Sequence, residues 1–393
     1  MPAPIFLAGA VRTPIGKFGG TLAPLSAPDL GTTAAKEALA RAKVPAAAVD
    51  ETIFGHGRQG GQGPGTGRQV SVRAGVPVEV PAWTVNMACG SSLKAVMLGA
   101  EAIEAGRADV VLAGGMESMS NTPYLLPRAR WGYRLGNDQV VDGMYRDGFH
   151  CMLANQLMGE TAENLVPLYG ITRAEQDAYA ARSQQRCEAA RKRGRFDAEK
   201  TPVAVPAKGG PVAFLDDEHA RDGVTADQLA LLPPVFHKTG SVHAGNSSGI
   251  TDGGSAVVVL SEAAVERHGV TPLARIVAWT QAGVDPKVMG LGPVPAVRKL
   301  LAKTGLAVGD VDLWELNEAF AAQVVACNRE LAIPEDRLNV DGGSIALGHP
   351  IGATGCRILV TLLHALAERK ARRGVATLCI SGGLGVAVLV ERV

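Results

Sequence analysis

Short runs of apolar, β-branched residues alternate along this chain with longer Ala- and Leu-rich stretches of helical period. The apolar runs at 108–113, 255–260 and 386–390 predict buried strands. Residues 29–43, 92–105, 297–304 and 354–370 place apolar side chains three and four apart and predict helices. This alternation predicts an α/β fold in which helices cover the faces of a sheet.

The pattern also repeats. Residues 44–54 align without a gap on 306–316 at an offset of 262, with Val49 on Val311 and Asp50 on Asp312. Val111-Leu-Ala-Gly-Gly115 resembles Cys379-Ile-Ser-Gly-Gly383 at an offset of 268, which implies a drift of six residues between the anchors. Two unrelated α/β units can resemble each other this far by chance. Two copies of one domain would instead put Cys89 and His349 at equivalent strand-to-helix turns. The second reading divides the chain into an N-terminal half at 1–120, completed by about 251–270, and a C-terminal half at 271–393. Residues 121–250 then form an insertion that covers the site. It carries Arg128, Arg130, Arg134 and the run Arg191-Lys192-Arg193-Gly194-Arg195, which reads as a solvated face.

Composition narrows the function classes. The 39 basic and 38 acidic residues of the 393-residue chain leave a net charge of +1, which argues against nucleic acid as a partner. Unbroken apolar runs such as 256–260 are too short to span a bilayer, so no membrane partner is expected. None of the six cysteines forms a Cys-x-x-Cys pair, and no metal site is expected. The opening Met1-Pro-Ala-Pro4 does not read as a secretion signal, and the closing Glu391-Arg392-Val393 is not a retention or peroxisomal tail. Free thiols in a reducing cytoplasm are the simplest expectation.

Candidate chemistry clusters at a few turns. Gly55-His-Gly57-Arg-Gln-Gly60 matches a dinucleotide fingerprint, but the chain continues Gly61-Gln-Gly63-Pro64-Gly65, which cannot open the required helix. Cys89, between an extended segment and a helix, is suited to be a nucleophile because a helix N-terminus lowers a thiol pKa. A buried structural cysteine would also fit that position. His349 precedes Pro350, which holds its backbone extended among glycines, a poor place for core packing and a good one for a general base. Cys379 ends a strand at the turn Ser381-Gly382-Gly383, which can present backbone N–H groups to an anion. Asn317 follows a strand and is either a helix N-cap or a donor that holds a water.

Taken together these segments resemble the thiolase family over essentially the whole chain. Arg12-Thr-Pro-Ile-Gly16, Asn86 to Ser92, Gly114-Gly-Met-Glu-Ser-Met119, Ala244 to Gly253, Asn317-Glu-Ala-Phe320, Gly348-His-Pro-Ile-Gly352 and Cys379-x-x-Gly-Gly383 match in order and spacing. The resemblance implies a five-layered αβαβα core of duplicated domains with an inserted loop domain. It implies reversible CoA-dependent cleavage of 3-ketoacyl-CoA, or the reverse Claisen condensation. Cys89 would be the acylated nucleophile, His349 the base that takes its proton, and Cys379 the acid/base at C2. His349 and a water held by Asn317 would stabilise the enolate oxygen. The N–H groups of Cys89 and Ser381 would form a second oxyanion hole. Leu157, Met158, Phe236, Ser248, Ala319 and Phe320 match positions along the CoA tunnel, and Arg221 a position near the CoA phosphates. Acyl-CoA and CoA enter as substrates, no cofactor is implied, and a homodimer or homotetramer is expected.

Two positions depart from the family pattern. Ser381 stands where glycine is usual, and Gln156-Leu157-Met158-Gly159 replaces a polar His-Met-Gly wall. Serine would strain the turn if that turn requires φ > 0. The competing readings are an acyl-CoA or lipid-binding protein on the same scaffold, and a condensing enzyme of the ketoacyl-synthase type. The set Cys89, Asn317, His349 and Cys379 argues against the first, and the Cys379 turn argues against the second.

Overall fold

Ten strands form one sheet in the computed structural model, which describes residues 4–393. Nine of them define its path: β1 (Ile5–Arg12), β2 (Glu51–His56), β3 (Ala82–Val85), β4 (Val110–Ser118), β5 (Thr251–Ser261), β6 (Ala274–Gly283), β7 (Leu313–Leu316), β8 (Arg373–Ile380) and β9 (Leu384–Arg392). Their order is β7-β8-β9-β6-β1-β5-β4-β2-β3. Met1, Pro2 and Ala3, part of the opening read for a leader, lie outside the described residues.

The two halves repeat one topology. In the first, β3-β2-β4 are parallel and β4-β5-β1 antiparallel. In the second, β7-β8 are parallel and β8-β9-β6 antiparallel, and a parallel bridge from Trp314 to Leu338 stands where the first half has β3. The equivalent aspartates do the same work. Asp50 Oδ2 accepts the N–H groups of Asp109 and Val110, and Asp312 Oδ2 those of Arg372 and Arg373. The duplication is therefore real, but its second sequence anchor is misplaced. Phe54 pairs with Gly114 and Leu316 with Thr377, so Gly114 corresponds to Thr377 and not to Gly382. Gly114 lies inside a strand, whereas Gly382 lies in the β8–β9 turn.

Eight helices matter for the site: α1 (Ala27–Ala42), α2 (Thr66–Arg73), α3 (Ser91–Glu104), α4 (Met158–Tyr169), α5 (Arg173–Lys192), α6 (Pro293–Thr304), α7 (Ala321–Leu331) and α8 (Ile351–Glu368). The helix expected at 29–43 starts at Ala27, because Ser26 caps it and closes a capping box with Asp29. Helices α1 and α2 cover the outer face of the first half, and α6 and α7 that of the second. Helices α3 and α8 pack against each other between the halves and share a core with Leu7, Ile53, Leu378 and Val388. The result is five layers. Strands β4, β5 and β9 are covered on both faces, which is why they read as unbroken apolar runs.

Helix α8 is a long apolar element that a search for unbroken apolar runs does not reveal. It is the one helix among the described residues long and apolar enough to cross a membrane, with mean hydropathy 1.3, and 83% of it is buried in the protein. No unbroken run betrays it because Arg357, His364 and small residues interrupt the apolar positions.

The segment between β4 and β5 carries α4, α5 and three short hairpins. Its basic run is not simply a solvated face. Arg195 is buried, 3.1 Å from Glu199, 3.0 Å from Asp341 and 2.9 Å from Glu368. Buried Arg12 reaches Glu199 at 2.6 Å and Asp217 at 2.6 Å, which ties the end of β1 to the same segment.

Candidate active site

The first turns of α3 and α8 touch. Ser92 Oγ accepts the Cys356 N–H at 2.9 Å, and a Cβ on Gly355 would lie 2.6 Å from the Leu93 nitrogen. Cys89 stands two residues before α3 and His349 two residues before α8. The packing of these helix ends therefore brings the two side chains to one place. On the other side, a Cβ on Gly90 would clash with the Ile380 side chain, so the Cys89 turn lies against the end of β8 that carries Cys379.

The nucleophile turn is held from within. Ala88 has φ 45°, a left-handed conformation that non-glycine residues seldom adopt. Ser91 Oγ accepts the Met87 N–H and donates to Ala88 O, and Asn86 Nδ2 donates to Gly57 O. The expected lowering of the Cys89 pKa is not observed. Burial pushes the thiol above its ordinary value, while the charge of Arg58 and the N–H groups of Ser381 and Cys89 act the other way. Helix α3 starts at Ser91, so Cys89 sits just outside its first turn.

His349 is poised as a neutral base. Thr354 Oγ1 donates to Pro350 O at 2.9 Å, so across the 2.7 Å contact it accepts from His349 Nδ1. That leaves Nε2 with a free lone pair and, among the described residues, no partner. Burial, with the charges of Arg357 and Arg58, lowers the His349 pKa to about 3. Cys379 is buried, and burial raises its thiol well above the ordinary value, with the nearby Cys89 and Cys327 thiols adding to the shift.

Asn317 is not an N-cap, since the next helix, α7, begins four residues later after Phe320. Its Oδ1 accepts from Ser344 Oγ at 2.6 Å, and Arg357 donates to the same Ser344 oxygen at 2.6 Å. This chain of hydrogen bonds fixes the amide so that Nδ2 points away from it, buried and, among the described residues, without a partner. Ser381 does not occupy the left-handed region. The positive φ values of the turn belong to Gly382 (88°) and Gly383 (87°), so serine causes no strain there.

The expected tunnel residues divide into groups. Met158, Phe236, Ala319 and Phe320 pack into one apolar cluster with Cys379, and the rings of Phe236 and Phe320 meet edge to face at 6.3 Å. Ser248 joins them through its N–H, which donates to Ala319 O at 3.0 Å. Leu157 precedes α4 and is half-buried, and its N–H is held by Glu160 at 2.6 Å. Arg221 is exposed. The decoy glycines have steric duties. A Cβ on Gly55 would lie 2.5 Å from the carbonyl carbon of Ser91, and α2 starts only at Thr66.

Sequence reasoning missed several residues of the site. Thr354 and Ser344 set the orientation of named residues, and nothing local marks them. Met289 joins the cluster around Cys379. The His219 ring covers Gly249, whose carbonyl accepts the His349 N–H, and burial lowers the His219 pKa to about 4. Arg58 was passed over as part of a decoy motif. Buried Glu117 holds that motif by accepting the N–H groups of Gly57, Arg58 and Gly352, with His56 Nε2 at 3.2 Å.

A duplicated five-layer fold with two cysteines, a neutral histidine and an oriented asparagine at its centre defines a class of carbon–carbon acyl-transfer enzymes. The comparisons agree: residues 5–263 match the family described as thiolase, N-terminal domain, and residues 270–392 match thiolase, C-terminal domain. The chain belongs to the thiolase family and is an acyltransferase with thiolase activity. It is 51% identical over 389 residues to an acetyl-CoA acetyltransferase of Cupriavidus necator, covering 99% of each chain. With the acetyl-CoA acetyltransferase of Escherichia coli it shares 50% identity over 387 residues, 98% of each chain. A crystal structure of human mitochondrial 3-ketoacyl-CoA thiolase in complex with CoA superposes with a TM-score of 0.96 at 43% identity, covering 100% of this chain and 98% of that one.

Proposed function

We propose that the chain cleaves 3-ketoacyl-CoA by a two-step exchange centred on Cys89. Cys89 Sγ attacks C3 as His349 Nε2 takes the thiol proton. The C2–C3 bond breaks, its electron pair goes to C2, and the Cys379 thiol delivers a proton there. The acyl group stays on Cys89 until the thiol of CoA takes it. The now protonated His349 Nε2 and a water on Asn317 Nδ2 stabilise the enolate oxygen of the departing acetyl-CoA. The N–H groups of Cys89 and Ser381 serve the oxyanion at C3. Met158, Leu157, Phe236, Ser248, Ala319 and Phe320 line the pantetheine path, and Arg221 meets the CoA phosphates. CoA is a substrate and no resident cofactor takes part. The protein works in the cytoplasm as a homodimer or homotetramer, in fatty-acid metabolism.

The observation that carries this reading is the pair of unpartnered buried groups, His349 Nε2 and Asn317 Nδ2, each oriented by a hydrogen bond at its other end. Such groups persist where a substrate or water completes them. The test is thiolysis of 3-ketoacyl-CoA of four to sixteen carbons by the wild type and Cys89→Ala. Cleavage that disappears in the variant supports the reading. No cleavage at any length, with CoA esters still bound, would leave an acyl-CoA-binding protein.

A further inference from the structure

Arg357 lies on α8, three residues after the Thr354 that orients His349, and is only 1% exposed. Its Nη2 donates to Ser344 Oγ at 2.6 Å, and its Nε and Nη1 have no partner among the described residues. Strand β7 passes in front of it. Leu313 packs in the core shared with α8, whereas Trp314 and Leu316 pack in the outer core, so alternation turns Glu315 toward α8 as well. Burial lowers the Arg357 pKa, and the charge of buried Glu315 works against that shift. An arginine keeps its proton even when buried.

The cation sets the direction of every hydrogen bond downstream of it. A guanidinium can only donate, so Ser344 Oγ accepts from it and must spend its own proton elsewhere. That proton goes to Asn317 Oδ1, 2.6 Å away. An amide NH2 could not accept it, so Asn317 is held with Nδ2 on the opposite side. The charge of Arg357 also reaches His349, where after burial it is the largest influence that lowers the pKa. One face of α8 thus governs both groups assigned to the enolate oxygen, His349 through Thr354 and Asn317 through Arg357 and Ser344. Neither link touches the N–H groups of Cys89 and Ser381.

We infer that Arg357 is a positioning residue which, acting through Ser344, holds the Asn317 amide for enolate stabilisation and serves carbon–carbon cleavage but not acyl transfer. This rests on the thiolase reading above. Cleavage breaks the C2–C3 bond and sends its electron pair toward the thioester oxygen before C2 takes the Cys379 proton. Acyl transfer between Cys89 and the thiol of CoA forms no enolate, and its oxyanion meets the backbone N–H groups of Cys89 and Ser381. Loss of the amide's orientation should therefore slow one step and spare the other.

The experiment measures two reactions that share acetyl-Cys89. One is thiolysis of acetoacetyl-CoA, and the other is exchange of the acetyl group between acetyl-CoA and isotopically labelled CoA. The full-length wild type, Ser344→Ala, Ser344→Thr and Arg357→Lys are compared, with thermal melting as a folding control. Ser344→Ala is expected to lower thiolysis kcat about 10- to 100-fold, as loss of a hydrogen bond to a charged group implies, with KM and acetyl exchange near wild type. Ser344→Thr keeps the hydroxyl and should recover most of the thiolysis. Arg357→Lys, a single donor on a more flexible stem, should fall between them with the same split. Wild-type thiolysis in Ser344→Ala overturns the inference. So does an equal loss of both reactions in folded Ser344→Ala and Arg357→Lys, since the network would then only support the site as a whole. Either result leaves the thiolase reading intact if the wild type catalyses both reactions. A wild type that catalyses neither removes both readings.

Discussion

At Cys89 two influences on a thiol oppose each other. The N–H groups of Ser381 and Cys89 and the charge of Arg58 favour the thiolate, but burial outweighs them. His349, with its pKa lowered to about 3, is neutral at any working pH. The resting pair is thus a thiol beside an imidazole, not an ion pair. The rate of Cys89 alkylation by iodoacetamide should therefore climb with pH through and beyond 9, the ordinary thiol value; a plateau reached near neutrality would show an ion pair instead. Ser381 is a second case where the residue and its backbone must be read together. Its φ is not in the left-handed region, so Ser381→Gly should keep thiolysis within a few-fold of wild type. Extra freedom in the unfolded chain should lower unfolding stability by about 0.4–1 kcal/mol, measurable by urea titration. The identities of Cys89, His349 and Cys379 as candidates were legible from their turns. The direction of the Cys89 shift was not, because desolvation depends on neighbours distant in sequence.

Among the elements, the joint between α3 and α8 matters most. Gly355 permits it, since a Cβ there would lie 2.6 Å from the Leu93 backbone nitrogen, which cannot move alone. Gly355→Ala should push the helix ends apart and separate His349 from Cys89. The expected result is a loss of thiolysis larger than the loss of stability, which overpacking puts at about 1–3 kcal/mol. Melting and kcat measured on one preparation would check it, and wild-type kcat in a folded variant would contradict it. Helix periodicity predicted α1, α3 and α8 to within a few residues. The duplication anchor at Val111 failed because Gly-Gly pairs serve different ends. Gly114 leaves room for the Phe54 ring within a strand, and Gly382 turns a corner with φ 88°.

Across the whole molecule, the inserted segment is fastened to the core by buried charge. Arg12 bonds Glu199 and both oxygens of Asp217, and Arg195 extends the network to Asp341 and Glu368. Arg12→Met would strand buried carboxylates and should cost about 3–5 kcal/mol in unfolding free energy. Glu199 resists burial through the charges of Arg12 and Arg195, and its pKa falls to about 2. A lowered carboxyl pKa adds stability that is complete above its ordinary value of 4.5 and is lost as pH falls toward 2. Urea unfolding at pH 6, 4 and 3 should show that decline, and a flat profile would contradict it.

The sequence by itself determined the α/β class, the duplication and the turns that carry Cys89, His349, Cys379 and Asn317. These rest on local rules of periodicity, turn chemistry and motif spacing. Only the tertiary structure decided which groups are partnered. The lone pair on His349 Nε2 and the free amide of Asn317 each depend on what three or four separate segments place around one atom. Burial and hydrogen-bond satisfaction are properties of that assembly, and no single stretch of chain encodes them.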